Sequence, residues 1–452
     1  MTGGGRVGTE ELLAIADAAI SAALPGESVE VYAVRSRGTE IKVHGAQIES
    51  LTDADTQGVG IRVIRDGRTG FSHSSTLDVD EAMTVLADAR ENCRFAEPDP
   101  DAGLAEPDGV VAPGHDLVSD DVRTTTPAQK AELAFELERL VVGTDPRVSR
   151  TRTVAYADTQ SAAALVSTAG VRVADSATAA YLSAVAIAHD DDDTAVGYHS
   201  SAARGPGGLD PAGTAAVAVD RATRILHGRK PASQRTTIVL EPRLAATFLG
   251  IVGGMLSGER VLKGRTPFAD RVSDLVASPL LTLVEDPTEV RSLGASNVDS
   301  EGLACRRTPL LTAGVLEGFL HNAYTARRLA AVPTASAVRG LKGTPGVGAR
   351  CLAMVPGDDE DPVAAVDDGI FVQTLAGLHS GVNPVSGDFS VGMDGMRITN
   401  GQLAEPVREA TIASSLQRML TDIRAVGADL TWLPSGTGAC TIVIDGVSLG
   451  GD

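Results

Sequence analysis

Two histidines bracket the densest run of carboxylates in this chain. In HDDDDTAVGYH, His189 and His199 flank Asp190–Asp193. Imidazole and carboxylate are both ligands for a divalent cation. Consecutive acids cannot converge on one ion, however, because neighbouring side chains on a strand or helix point apart. The run is therefore read as a solvated acidic loop, with a metal site as the lesser alternative. His379-Ser380 sets a candidate base beside a candidate nucleophile, but adjacent residues on a strand face opposite ways. No G-x-S-x-G elbow occurs in the chain, so serine hydrolase chemistry lacks its usual frame. Cys93, Cys305, Cys351 and Cys440 form no C-x-x-C pair, which argues against a disulfide framework and a zinc knuckle. Cys305 and Cys440 lie in β-like contexts and read as small core residues. His321, in GFLHNAYTARRL, has two readings that stand side by side. It is either a satisfied polar group at a strand end or a groove residue beside Asn322, Tyr324 and Arg327. GLKGTPGVGARC, from Gly340 to Cys351, mimics a phosphate loop, but Lys342 precedes most of its glycines and the Walker order is absent. It reads as a mobile loop with a turn at Thr344-Pro345-Gly346, placed where it could border a substrate groove.

The elements that must position these groups are well punctuated. A helix is expected near residues 9–23, capped by Thr9, with Glu10 and Glu11 in its first turn. Alternating patterns predict strands at 29–35, 39–44 and 58–64, and Asp66-Gly67 between alternating runs predicts a tight hairpin. A helix from Val79 to Cys93 has Asp78 as its cap. Glu97 to Pro113 carries four prolines and many acids and reads as a surface crossing. Thr126, Pro127 and Gly143 bound a second helix, strands occupy roughly 148–187, and Asp210 and Gly228 bound a helix over Pro211–His227. Near residue 230, RKPASQR leads into TTIVL; beyond it helices shorten and turn signals thicken. The expected division is an N-terminal α/β domain, 1–230, and a C-terminal β-rich domain, 231–452.

Composition narrows the function classes. With 39 basic against 59 acidic residues the net charge is −20, and no Lys/Arg cluster interrupts it, so nucleic-acid binding is not expected. Of 452 residues, 43% are hydrophobic and only 3% aromatic, enough for a large aliphatic core. No run of eighteen apolar residues exists to span a membrane, and the acids at 10, 11 and 17 make the N-terminus a helix and not a signal peptide. A soluble cytoplasmic protein is expected.

The stretch GVNPVSGDFSVGMDGMRITNGQLAEPV, Gly381–Val407, is turn-rich: glycines at 381, 387, 392, 395 and 401 surround Pro384, Asp388 and Asp394. Short strands with tight turns are expected, Asn400-Gly401 supplying one of them. This stretch resembles, almost residue for residue, the C-terminal signature of the TldD/PmbA family, once called modulators of DNA gyrase and regarded as peptidases. The resemblance extends over most of the chain. It includes IKVHGAQIESLTDADTQGVGIRVIRDGRTGFS, FAEPDPDAGLAEP, VDSEGLACRRTPLLTAGVLEGFLHNAYTARRL and NGQLAEPVREATIASSLQRMLTDIRAVGADL, in the family's order. It implies an α+β architecture whose C-terminal domain is built around a curved, barrel-like sheet.

TldD-type members carry H-E-x-x-x-H on a helix, two imidazoles binding zinc while the glutamate serves the hydrolytic water. Counting back from Lys263-Gly264, the six positions here are Leu249-Gly250-Ile251-Val252-Gly253-Gly254, and none is a ligand, acid or base. No H-E-x-x-H or H-E-x-x-x-H occurs elsewhere. The NPVSGDFS wording and the ending at TIVIDGVSLGG resemble the PmbA or TldE class, in which a metal-free subunit pairs with a TldD-type partner. The resemblance thus implies half of a heterodimeric zinc metallopeptidase acting on unfolded peptides. No cofactor is expected in this chain, zinc is expected in the H-E-x-x-x-H partner subunit, and a homodimer is an option in isolation. His321, Asn322, Tyr324, His379, Asn383 and Asp388 are the candidate peptide-groove residues. Exposed backbone near Gly381, Gly387 and Gly392 would suit an extended peptide held along a β-edge. Two rivals are a self-contained peptidase using His379, His321 or Cys440, and a non-enzymatic adaptor.

Overall fold

The computed structural model describes residues 8–451; Met1–Val7 and Asp452 lie outside the described residues. The first half begins α1 (Thr9–Ser21), β1 (Ser28–His44), β2 (Gln47–Arg65), β3 (Arg68–Ser74) and α2 (Val79–Phe95). It continues α3 (Asp121–Thr124), α4 (Pro127–Thr144), β4 (Arg150–Ser167), β5 (Arg172–Asp190), β6 (Asp193–Ala203) and α5 (Pro211–Thr223). The strands form one antiparallel sheet in the order β3-β2-β1-β4-β5-β6. Because side chains alternate along a strand, each strand feeds two faces. Val31, Ala33, Ile41 and Val43 of β1 are fully buried and point to one face, which α1, α2, α4 and α5 cover in two apolar clusters. Glu30, Tyr32 and Val34 point to the other, with Ala163 and Leu165 of β4 and Val173 and Asp175 of β5 in register beside them.

The second half opens with β7 (Gln234–Leu240), α6 (Pro242–Met255), α7 (Gly258–Leu262), β8 (Leu283–Glu285), β9 (Thr308–Thr312) and β10 (Val315–Leu316). Then come α8 (Ala323–Arg328), β11 (Ala337–Val338), β12 (Gly346–Val347), β13 (Leu352–Met354), β14 (Asp368–Ala376), α9 (Leu378–Gly381) and β15 (Val382–Asn383). The chain ends with β16 (Asp388–Thr399), β17 (Gln402–Ser415), α10 (Leu416–Thr421), β18 (Ile423–Val426), β19 (Thr431–Trp432), β20 (Gly438–Ala439) and β21 (Ile442–Gly450). β14, β7, β21, β17 and β16 follow one another in a sheet, and pairing of β14 with β16 closes it into a five-stranded barrel. Smaller strands form a second sheet, β10-β9-β8-β13-β20-β19. One apolar cluster joins both to α6 through Leu244, Phe248, Leu249 and Val252. Each such side chain contributes about 1.5–3 kcal/mol by leaving water. The fold is therefore α+β with a barrel-like C-terminal region, as the resemblance implies.

Local chemistry explains where elements begin and end, and corrects several expectations. Thr126 and Gln129 form a reciprocal capping box on α4, and Asp78 accepts from Glu81 N–H at the head of α2. Asp66 and Gly67 (φ 51° and 72°) and Asn400 and Gly401 (φ 50° and 75°) make the expected tight turns. Thr9 is not the cap of α1: Gly8 holds that position and no side chain bonds there. α4 runs one residue past Gly143, and α5 stops at Thr223, short of His227. The strands expected at 29–35 and 39–44 are one continuous strand, β1, because β2 and β4 pair with it across Gly38. The acidic run is no open loop; it is the β5–β6 hairpin, with Asp191 and Asp192 at its tip. Its other acids are spent between elements: Asp190 on His227 at 3.1 Å and Asp193 on Arg408 at 2.9 Å. His189 pairs across the hairpin with Thr194, so it lies roughly 17 Å along the strand from His199.

Candidate functional site

The helix-free face of the six-stranded sheet meets the C-terminal body, and between them runs a cleft of about 460 Å³. Tyr32, Ser161 and Asp175 line it from the sheet, and Ser296, Arg350 and Ser435 from the other side. A side pocket of about 100 Å³ shares Tyr32, Asp175, Ser296 and Arg350. Three contacts bolt the walls together. Arg204 on the strand-end of β6 donates to Ser292 O at 2.6 Å and Leu293 O at 3.3 Å. Asp175 accepts from Asn297 N and Nδ2, both at 3.0 Å. Asn297 in turn holds His115, just past the Glu97–Pro113 crossing, which runs over the surface with only Leu104 and Ala105 buried. That crossing is tied down again by Arg327, which donates to the carbonyls of Asp101, Gly103 and Leu104.

Arg350 enters this cleft from the glycine-rich segment. That segment is not a free loop: β11 and β12 pair to make a hairpin arm, Ala337–Val347, that reaches from the C-terminal body onto β2. Leu341 at its tip packs on Gly58 and Gly60, where a Cβ at Gly58 would come within 2.5 Å of it. At the base of the arm Arg339 donates to Glu30 at 2.6 Å, and Arg62 donates to the same carboxylate at 2.9 Å. Arg62 also faces Glu301 at 3.7 Å, and Arg339 stacks over the Tyr32 ring at 4.8 Å. Glu30, Arg62, Arg339 and Glu301 are all buried. Burial opposes ionisation of Glu30, but the guanidiniums of Arg62 and Arg339 overcome it and hold its carboxyl below the usual range. Glu301 goes the other way: burial pushes it up to about 7, only partly offset by the more distant Arg62. Its Oε1 has no hydrogen-bond partner among the described residues. Glu285, which accepts from Arg350 N at 2.7 Å, is likewise pushed up to about 7 by burial.

The residues singled out from sequence fall in three separate places. His321 and Asn322 are buried beside the end of α6, where a Cβ on Gly258 would come within 2.3 Å of His321 Nδ1. His321 Nδ1 lies 3.2 Å from Thr325 Oγ1, and Asn322 caps α8 by accepting from Thr325 N–H. Burial lowers the His321 pKa, so the imidazole is neutral near pH 7. Tyr324 donates to Asp99 at 2.8 Å, on the strap side of α8. His379, Asn383 and Asp388 cluster instead at one end of the barrel, all exposed. His379 and Ser380 sit on the one-turn helix α9 and not on a strand; Ser380 donates to Gly377 O, and no bond joins it to His379. Asn383 accepts from Val385 N and Ser386 N, and Asp388 accepts from Ser386 Oγ, so both shape the β15–β16 turn. The glycines expected to offer a β-edge do not: Gly392 is paired with both β14 and β17, and Gly381 and Gly387 donate to Gly377 O and Asn383 O. Barrel closure removes the edge at that point.

The zinc-motif positions lie on α6, and their geometry answers whether they fit the metal. Leu249 is fully buried in the core, whereas Gly250 and Gly254 face outward with no atom within 4 Å of where a Cβ would stand. Positions five apart on a helix are turned about 140° from each other. Neither glycine carries a donor, so these residues do not fit a zinc ion. Among the described residues no group of three or more His, Cys, Asp or Glu side chains is placed to hold a metal. Burial pushes the thiols of Cys305, Cys351 and Cys440 up to about 12, far from the thiolate a nucleophile needs. The cleft lining includes neither histidine nor cysteine. Its polar lining is hydroxyls, the Arg350 guanidinium and the carboxyls of Asp175 and Asp299. Tyr32, Asp175 and Arg350 were not singled out from sequence; the nearest signal was the glycine-rich segment that ends beside Arg350.

Three comparisons place these features among known proteins. The sequence profile of the PmbA/TldA metallopeptidase C-terminal domain matches residues 233–451, that of domain 1 matches 29–93, and that of the central domain matches 120–226. Metalloprotease PmbA of Escherichia coli O157:H7 is 25% identical over 425 residues, 92% of each chain. A metalloprotease of Methanothermobacter thermautotrophicus is 24% identical over 415 residues, 89% of this chain and 88% of that one. The crystal structure of TldE from Thermococcus kodakarensis superposes with a TM-score of 0.88 at 21% identity, covering 98% of this chain and 99% of that one. No helix among the described residues is long and apolar enough to cross a membrane.

Proposed function

The chain belongs to the PmbA/TldA metallopeptidase family, and from that premise we propose that it is the metal-free, PmbA/TldE-type subunit of a heterodimeric peptidase. One observation carries the reading: at the motif positions on α6, Leu249 and Gly254 stand for the two histidines and Gly250 for the glutamate, Leu249 buried in the core and both glycines bare. A partner of the TldD type, with H-E-x-x-x-H, supplies zinc and the hydrolytic water. This chain supplies binding surface and confinement for an extended, unfolded peptide in the cytoplasm.

The self-contained alternative has no support in the arrangement of side chains. Cys440 is buried with a raised pKa, His321 is buried against Thr325, and His379 stands exposed without a paired nucleophile. The test of the subunit role is co-purification with a TldD-type relative from the same organism, followed by native mass measurement. A complex holding both chains is the expected result. Two chains that elute separately at micromolar concentration would remove the proposal.

A further inference from the structure

We infer that the cleft between the sheet and the C-terminal body is a carboxylate site, in which Arg350 and the Tyr32 hydroxyl hold a carboxylate of a bound peptide. Among the described residues Arg350 has no acidic side chain within ion-pair distance, although the chain carries 59 acids against 39 bases. Only its Nη2 is engaged, donating to Ser300 Oγ at 2.7 Å and Ala337 O at 3.2 Å. Those two bonds hold the guanidinium through Nη2, while Nε and Nη1 make no hydrogen bond among the described residues of a side chain that lines the cleft. Either atom can donate one charge-assisted hydrogen bond to a carboxylate oxygen. The Tyr32 ring is held from one side by Arg339, and its hydroxyl has no partner within the described chain. It lines the same two cavities as Arg350 and provides a second donor.

The rest of the lining sets the charge and class of the ligand. Two acids line these cavities: Asp175, already satisfied by Ser176 N, Asn297 N and Asn297 Nδ2, and in the side pocket Asp299, which accepts from Glu301 N, Leu303 N and Ala337 N. A dianion such as a phosphate monoester would meet the repulsion of these carboxyls with only one guanidinium in the lining to offset it, whereas a singly charged carboxylate is repelled less. Small walls of alanine and serine and a volume of about 460 Å³ admit an extended backbone. That the carboxylate belongs to a peptide rests on the function proposed above. Its source is the C-terminus or an acidic side chain, and the experiment separates the two.

The probe is a short fluorescein-labelled peptide without acidic residues, titrated into the full chain alone and followed by anisotropy. Three forms are compared: free C-terminal acid, C-terminal amide, and amide with one internal Glu. The free acid is expected to bind at least about tenfold more tightly than the plain amide, the factor of one charge-assisted pair. Recovery of binding by the Glu-containing amide assigns the site to any carboxylate, and no recovery assigns it to the terminus. Arg350→Gln should erase the acid-to-amide ratio and Arg350→Lys should retain part of it. Tyr32→Phe, which keeps the ring against Arg339, should lower the ratio by a smaller factor. Near-UV circular dichroism establishes that each variant is folded. Equal binding of acid and amide, no binding of either, or an undiminished ratio in folded Arg350→Gln overturns the site. No partner, zinc or cleavage enters this measurement. Its failure would leave the subunit role standing, and failure to form a heterodimer would leave the acid-to-amide ratio untouched.

Discussion

The outward face of α6 and the cleft beside Arg350 are opposites. α6 presents two glycines with empty space around them, at the positions that correspond to the glutamate and the second histidine of H-E-x-x-x-H. The cleft is walled by hydroxyls, an unpaired guanidinium and a tyrosine, above a fully buried ion network. Chemical equipment is therefore present where a peptide would be held and absent where it would be cut. The expected responses to mutation differ accordingly, in sign as well as size.

The largest effect should come from beneath the cleft. Glu30→Ala leaves Arg62 and Arg339 buried without their shared carboxylate, a loss expected to cost about 3–5 kcal/mol in urea denaturation. A change under about 1 kcal/mol would mean that the network does not join the arm to the sheet. The next effect is a pH dependence with a defined sign. Glu285 and Glu301 have an ordinary pKa of 4.5 and are held at about 7 when folded, so the folded chain keeps protons that the unfolded chain has lost. Stability should thus fall as pH rises from 4.5 through about 7, by about 1–3 kcal/mol for each of the two groups, and Glu301→Gln should flatten that slope. Glu30, held below its ordinary value, acts in the opposite sense and only as the solution becomes more acidic than that. The smallest effect has the opposite sign. Gly250→Ala and Gly254→Ala should each stabilise the chain by about 0.5–1 kcal/mol, because the methyl meets nothing and helical glycine is entropically costly. Destabilisation in a thermal melt would show that something covers this face.

What could be read from sequence was what local residues decide. Thr126-Pro127, Asp66-Gly67 and Asn400-Gly401 fix their own backbone, and each stands where expected. The family resemblance supplied the barrel, and the missing ligands at Leu249, Gly250 and Gly254 were visible by type alone. The cleft was not legible. Glu30 and Arg339 are 309 positions apart, and nothing in either neighbourhood names the other. Arg350 looked like the end of a mobile loop because the pairing of β11 with β12, and the seat of Leu341 on Gly58 and Gly60, depend on the sheet beneath. His321 and Asn322 looked available for a groove, but their neighbours Thr325 and Gly258 enclose them. The β-edge expected near Gly392 failed for a topological reason, since one long-range pairing closes the barrel.

The most direct test of the central claim is zinc content and peptidase activity on an unstructured peptide, measured for this chain alone, for a TldD-type partner alone and for the two mixed. The account predicts no bound zinc and no cleavage for this chain, with zinc and chelator-sensitive cleavage in the mixture. Chelator-insensitive cleavage by this chain alone, or stoichiometric zinc within it, would contradict the account.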